Sequence, residues 1–454
     1  MDTAHHPPTL IHGATLVNEG EQRTADVLIE DGIIRAVGEV DAPNDVRIID
    51  AHGLHLLPGI IDGQVHFRDP GLTHKADLHS ESRAAVAGGV TSFIDMPNTK
   101  PNVLTLDIWR DKYRLAAEKS LANFGFFMGV NAENIDDVLA MDTTQFLAVS
   151  DDGLYFTKKG NLLADNVHLL DRLFAECDCI IALHSEKEAI IERNEEAHRD
   201  RYGDDVPFAL HPVIRSHEAC LEATRDLIDL ARTHGTRLHI LHLTTAAEAT
   251  LFEPATSLRE KRITTEVCVQ HLWFSTEDYD RLGARIKWNP AIKTREDADG
   301  LLEALVEGRI DLVTTDHAPH TLEEKSGTYF EAVSGAPMVQ HALNVMLEFH
   351  KEGRIGLETI VEKMCHNPAR LYEIEKRGFV RAGYAADLIL VDMDHAWTVG
   401  PENILYKCGW SPLEGTTFRT QVTHTFVNGH LAYANGRFDE SVKGRPLVKR
   451  NTMD

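Results

Sequence analysis

Along the first 56 positions, apolar and polar residues alternate in short runs, TLIHGATLVN, ADVLIEDGIIRAVGEV and VRIIDAHGLHLLPG, punctuated by glycine. A period of two marks half-buried strands joined by tight turns, so this stretch is expected to form a small β unit. From Leu57 the rhythm changes. LPGIIDGQVH, TSFIDMP, NFGFFMGV, FLAVSDDG, CIIALHSE, RLHILHLT, ITTEVCVQHL and DLVTTDHAPH are short, rich in β-branched or aromatic residues, and end in polar groups. Helical patterns lie between them, such as ESRAAVAGG and EACLEATRDLIDLARTHG, the latter closing on a glycine. Strands alternating with helices predict a parallel sheet, and eight such units over roughly 320 residues fit an α/β fold of the (β/α)8 TIM-barrel type.

After about Lys376 the strand rhythm returns in GFVRAGYAADLILVDMD and QVTHTFVNGHLAYANGRF. The expected organisation is a barrel over 57–376 and a β-sandwich built from both chain ends, 1–56 plus 377–454. The stretch RDRYGDDVPFALHPVIRSHEA is expected to be a loop inserted after the fifth barrel strand.

Composition narrows the partners. The chain has 454 residues, 43% of them hydrophobic, enough for a large core. Its 46 basic and 71 acidic residues give a net charge of −25. Such a surface repels phosphate backbones and anionic headgroups, which excludes nucleic acid and membrane and leaves small molecules and other proteins. The N-terminal MDTAHHPPTL has neither a basic nor a long apolar leader segment, and no stretch reaches membrane-span length, so a cytoplasmic location is expected. Cys177, Cys179, Cys220, Cys268, Cys365 and Cys408 lack Cys-x-x-Cys spacing and read as reduced thiols. Cys177 and Cys179 read as a buried pair at the start of a strand.

The chemistry lies at the strand ends. Asp62, Gln64 and His66 end the first barrel strand, Asp151 and Asp152 the fourth, His184 the fifth, His242 the sixth, and Asp316, His317 and His320 the eighth. In a barrel these ends share one face, where active sites are built. Each residue alone is explained by an ordinary structural hydrogen bond or turn. Together, their nitrogen and oxygen donors suit zinc or a similar divalent ion. Alternate side chains of a strand share a face, so a His-x-His pair there aims two imidazoles at one ion. Here the first of the two is Gln64, a poorer donor to zinc.

In order and spacing, DGQVHFRDPGLTHK, DMPNTKPN, SDDG, ALHSE, ILHLT, KWNPAIKT and TTDHAPHTLEEK resemble the motifs of class I dihydroorotases within the amidohydrolase superfamily. GFVRAGYAADLILVD and FVNGH are similar to that superfamily's C-terminal sandwich strands. The resemblance implies that His66 binds an α-metal beside Gln64, Asp152 bridges two metals, His184 and His242 hold a β-metal, and Asp316 is both α-ligand and general base. Many relatives bridge the metals with a carboxylated lysine. An aspartate in that role is the class I pattern, and Lys158 and Lys159 are expected to be solvated. Arg68, Asn98 and His320 would grip a substrate carboxylate, Asn289 would hydrogen-bond the ring, and Ser334 and Gly335 would meet it through backbone groups. For Arg68 the alternative is a surface salt bridge with Asp69 or Asp77.

With Gln64 in place, one zinc is expected to bind tightly and a second weakly. The implied reaction is metal-dependent cyclic amide hydrolysis, the reversible interconversion of N-carbamoyl-L-aspartate and L-dihydroorotate in pyrimidine biosynthesis. Two alternatives stand beside it: a non-catalytic dihydroorotase-like subunit supporting aspartate transcarbamoylase, and a hydrolase of another cyclic ureide, of the allantoinase or hydantoinase type. A homodimer is the expected assembly, with association to aspartate transcarbamoylase as a further expectation.

Overall fold

The computed structural model describes residues 8–152, 154, 166–254 and 257–450. Lys158 and Lys159 fall outside the described residues. The first barrel strand, Ile60–Val65, pairs in parallel with Val90–Asp95, which pairs with Asn123–Phe126. The sheet resumes at Met128–Gly129 and runs through Ala148–Ser150, Ile180–Leu183, Leu238–Ile240, Ile263–Cys268 and Leu312–Thr314. The ring closes where Val65 bridges His317 in parallel and the His66 amide donates to the His317 carbonyl at 2.8 Å. The fold is the expected (β/α)8 barrel. Its strands read as continuous apolar runs because both of their faces are covered.

Helix ends follow local chemistry. Leu78–Ala87 starts on a capping box in which Asp77 and Ser80 exchange side-chain bonds. His217–His234 starts on Ser216 and stops at Gly235, whose φ is 68°. The expected loop over 199–219 is corrected by the structure. Helix Glu188–Tyr202 runs into it, and the turn Phe208–Leu210 and short helix His211–Ile214 follow. Pro212 favours that helix start. The buried His211 ring anchors it, with Nδ1 at 2.8 Å from the Tyr329 hydroxyl and Nε2 at 2.6 Å from the Trp288 carbonyl.

Both chain ends enter one nine-stranded sheet. Thr9–Asn18, Glu21–Glu30, Ile33–Gly38, Arg47–Asp50 and His55–Pro58 come from the N-terminal side, and Leu388–Asp392, Gln421–Val427, His430–Ala434 and Arg437–Phe438 from the C-terminal side. His55–Pro58 joins the two halves by pairing antiparallel with Leu388–Asp392. Two hairpin turns abut across the sheet. Asp31-Gly32 has φ values of 54° and 81°, and Asn428-Gly429 has 50° and 78°, the positive values that two-residue hairpins require. A Cβ on Gly429 would lie 2.6 Å from the Gly32 Cα.

All six cysteines are free; the Cys177 and Cys179 sulfurs lie 3.6 Å apart, at the start of the Ile180–Leu183 strand. Among the described residues no helix is long and apolar enough to cross a membrane.

Gly429→Ala is expected to cost more than about 1 kcal/mol in urea unfolding, because it adds a backbone clash to the strain of positive φ. Gly20→Ala is the control, since Gly20 shares φ near 81° with no atom within 4 Å of its Cβ position. Equal losses would mean that the contact between the turns contributes nothing.

Candidate active site

Strand one supplies three alternate side chains, Asp62, Gln64 and His66, all buried. Asp62 is anchored to the end of strand eight. It accepts from the Thr315 hydroxyl at 2.6 Å and amide at 3.2 Å, and burial pushes its carboxyl up to about 7. Gln64 donates through Nε2 to Asp152 at 3.4 Å, while its Oε1 faces the Cys268 sulfur at 3.9 Å. His66 is held from behind, with Nδ1 at 2.7 Å from the Asn98 Oδ1. That bond turns Nε2 inward, to 3.3 Å from Asp152 and 3.0 Å from Asp316. Burial opposes charge on the His66 ring, but the bonds to Asp152 and Asp316 outweigh it and lift the imidazole to about 9.

Asp152 sits at the centre. His66 contacts one of its oxygens and His242 Nε2 lies 3.9 Å from the other. Burial favours the neutral acid, yet the bonds from His242 and His66 hold the carboxylate well below its usual range. His242 is itself lifted to about 8, since Asp152 outweighs the effect of burial. His184 Nδ1 is 3.2 Å from His242 Nε2, and its other nitrogen rests 2.8 Å from Glu186. Asp152, His184 and His242 form one group, and His66, Asp152 and Asp316 a second, with ligand atoms within 4.8 Å of one another in each. Asp152 belongs to both. Neither Asp152 nor Asp316 has a lysine or arginine within ion-pair distance among the described residues; the charges facing them are the imidazoles of His66 and His242.

The backbone is strained where these residues meet. Arg68, His242 and Asp316 have φ of 66°, 36° and 42°, a region L-residues seldom occupy outside turns and functional sites. Arg68 is buried, with Nη2 at 3.1 Å from His320 Nε2 and Nε at 3.4 Å from the Pro319 carbonyl. Its expected alternative partners are engaged elsewhere: Asp69 binds Lys119 at 2.9 Å and Asp77 binds Lys407 at 2.6 Å. The guanidinium has no carboxylate within ion-pair distance among the described residues.

The remaining expected residues converge less completely. Asn98 has its carbonyl committed to His66, which leaves its amide hydrogens. Asn289 is partly exposed, and its Oδ1 has no partner among the described residues. Gly335 donates its amide to the Lys287 carbonyl at 2.8 Å, and its carbonyl accepts from Lys325 Nζ at 2.8 Å. A Cβ there would lie 3.2 Å from the His320 ring, so the loop carrying Gly335 and the partly exposed Ser334 passes against the site. His317 faces away, bonded to Glu81 at 2.8 Å and to the Met338 and Val339 amides.

Four functional neighbours are not singled out by sequence reasoning. Glu186 braces His184 and is gripped in turn by Arg215. Burial would raise the Glu186 carboxyl, but Arg215 and His184 hold it well below its usual range. Lys75 and Glu324 flank His320. Glu186, Lys75 and Glu324 lie inside the motifs ALHSE, GLTHK and HTLEEK, where proximity to a ligand is the available signal. Nothing in the spacing points to Arg215, which arrives from the helical insertion.

A family model described as Amidohydrolase family matches residues 55–432. A dihydroorotase of Carboxydothermus hydrogenoformans is 33% identical over 426 residues, covering 92% of this chain and 96% of its own. An allantoinase of Deinococcus radiodurans is 32% identical over 455 residues, covering 97% of this chain and 99% of its own. Among solved structures, the L-hydantoinase (dihydropyrimidinase) from Arthrobacter aurescens is similar at a TM-score of 0.88 and 25% identity, covering 97% of this chain and 99% of that one. The barrel, the paired His and Asp groups at its C-terminal face and a family match spanning most of the sequence agree: this chain belongs to the amidohydrolase family of metal-dependent hydrolases.

Proposed function

We propose that the chain is a dihydroorotase, which opens the dihydroorotate ring to N-carbamoyl-L-aspartate and closes it in reverse. The observation that carries this reading is Arg68, a buried cation beside the His and Asp groups with no carboxylate within ion-pair distance among the described residues. A buried charge without a partner is costly, and a substrate carboxylate supplies the missing one in the planar, two-pronged geometry that a guanidinium favours. Allantoin and hydantoin rings carry no carboxylate. The dihydroorotase relative agrees with this reading; the allantoinase relative, at almost equal identity, makes a neutral ureide the second reading.

The five buried donors fit a divalent ion such as zinc: two carboxylates and three imidazoles converge, with no lysine or arginine paired to either carboxylate among the described residues. Asp152, His184 and His242 would hold the tighter ion, and His66, Asp152 and Asp316 a weaker second one. When bound, such an ion makes a water acidic near neutral pH and polarises an amide carbonyl. Gln64, whose amide donates to Asp152, orients that shared carboxylate and is at most a weak ligand.

The chain's own residues supply the rest. Asp316 takes the proton of the attacking water and returns it to the departing ring nitrogen. Arg68 holds the ring carboxylate together with the Asn98 amide, and His320 orients the guanidinium through its 3.1 Å contact. Asn289 and the backbone of Ser334 and Gly335 border the ring. Buried walls around the group exclude competing water.

Three outcomes test this reading. Asp316→Asn is expected to remove nearly all dihydroorotate turnover in a folded protein, beyond the roughly 10² to 10⁴-fold of a general base alone, because ligand and base are lost together. A variant within tenfold of wild type would refute the assignment. Arg68→Met is expected to cripple hydrolysis of dihydroorotate while sparing dihydrouracil, which has no carboxylate; equal losses would make Arg68 structural. Gln64→His is expected to raise bound metal per chain after dialysis against a mild chelator, since an imidazole replaces a poorer donor. Unchanged metal content, with His66→Ala lowering it, would show that position 64 does not reach the ion.

A further inference from the structure

Behind the Arg68–His320 contact stands a second layer of charge. Lys75 is buried, with Nζ at 3.1 Å from His320 Nδ1 and 2.9 Å from Glu324 Oε1. The other oxygen of Glu324 lies 3.3 Å from His320 Nδ1. Arg68 approaches the opposite nitrogen, Nε2, at 3.1 Å. The His320 backbone carbonyl accepts from the Trp410 indole at 2.7 Å, and the ring itself is held at both nitrogens.

With Arg68 and Lys75 both charged, proton counting resolves this network in one way. A neutral imidazole has one N–H and one lone pair, yet cationic donors sit at both nitrogens. Arg68 can only donate, so Nε2 must offer the lone pair and Nδ1 must carry the hydrogen. That hydrogen goes to Glu324, and the Lys75 ammonium goes to Glu324 as well. Glu324 thus serves both His320 and Lys75, with its backbone held by Thr321 at 3.2 Å. The exposed His74 also reaches Glu324, at 3.3 Å. The neighbouring Lys325 is turned away onto the Val333 and Gly335 carbonyls.

The charges then sum simply. Arg68 and Lys75 contribute two positive charges and Glu324 one negative, leaving one uncompensated positive charge in the hydrogen-bonded cluster. Without Lys75, Glu324 would cancel Arg68 through the intervening ring, and the clamp would be neutral before any substrate arrived.

We propose that Lys75 is a positioning residue that sets the specificity of this clamp: it neutralises Glu324, so that Glu324 can fix His320 without cancelling the charge of Arg68. The clamp thereby keeps one positive charge for one ring carboxylate. This rests on the dihydroorotase reading and adds to it the residue that tunes anion affinity without touching substrate.

The test is steady-state kinetics of the purified, metal-loaded enzyme on dihydroorotate and on dihydrouracil. Lys75→Met is expected to raise KM for dihydroorotate about tenfold with kcat within about threefold, the pattern of lost uniform binding, and to leave dihydrouracil hydrolysis unchanged. Lys75→Gln, which keeps a hydrogen bond and drops the charge, is expected to do the same, and covers the case in which Lys75→Met does not fold. The double variant Lys75→Met/Glu324→Gln restores the single positive charge, and its KM is expected to return to within about threefold of wild type. An unchanged KM in the single variants would overturn the proposal, as would a double variant as impaired as Lys75→Met. If Arg68→Met fails to separate the two substrates, the dihydroorotase reading falls and takes this inference with it. If Arg68→Met separates them and the Lys75 variants behave as wild type, only this inference falls.

Discussion

The structure depends on one closure. Strand one meets strand eight where the His66 amide donates to the His317 carbonyl, and this bond turns an open parallel sheet into a barrel. Only in a closed barrel do residues from strands one, four, five, six and eight face a common centre. His66 and Asp316 are 250 positions apart by their numbers, yet lie 3.0 Å from each other, and each is next to a residue of the closing bridge. The bridge that completes the fold therefore also brings the site together. The strain recorded at Arg68, His242 and Asp316 lies at the same rim, where the chain leaves the regular strands.

Two charge groups face each other across that rim. One is acidic and imidazole-rich, with no lysine or arginine paired to Asp152 or Asp316 among the described residues. The other is cationic, with Arg68 paired to no carboxylate among the described residues and Lys75 matched by Glu324. Each would be unstable if buried alone. Their adjacency suits a substrate whose amide lies at the first group and whose carboxylate lies at the second. Under the proposed function, the same pairing would let a chain of net charge −25 accept an anion, because the attraction is local and buried, where screening by solvent is least.

Much of this is legible in the sequence, and the reasons are physical. The switch from period-two alternation to apolar runs at Leu57 reflects a change from one-sided to two-sided burial, so fold class can be read from it. The His and Asp at strand ends are legible because the barrel maps those ends to one face. The insertion over 199–219 is not, since its short helices are held by tertiary bonds from His211 to Trp288 and Tyr329 that no local pattern encodes. Lys75 and Glu324 sit in plain view within GLTHK and HTLEEK, but solvated lysines and glutamates look identical in sequence to buried ones. Gln64 is legible as a departure from His-x-His, whereas its hydrogen bond to Asp152 depends on side-chain geometry.

The central claim is that a buried guanidinium, paired to no carboxylate among the described residues and set beside a candidate metal-binding cluster, selects an anionic ring. Side-by-side kcat/KM values of the wild-type enzyme for dihydroorotate, allantoin and hydantoin test it most directly. A site built to pair a substrate group rejects analogues that lack it by roughly 10⁴-fold, so dihydroorotate should lead both neutral rings by about that factor. Allantoin or hydantoin turned over as well as dihydroorotate, or better, would contradict the account.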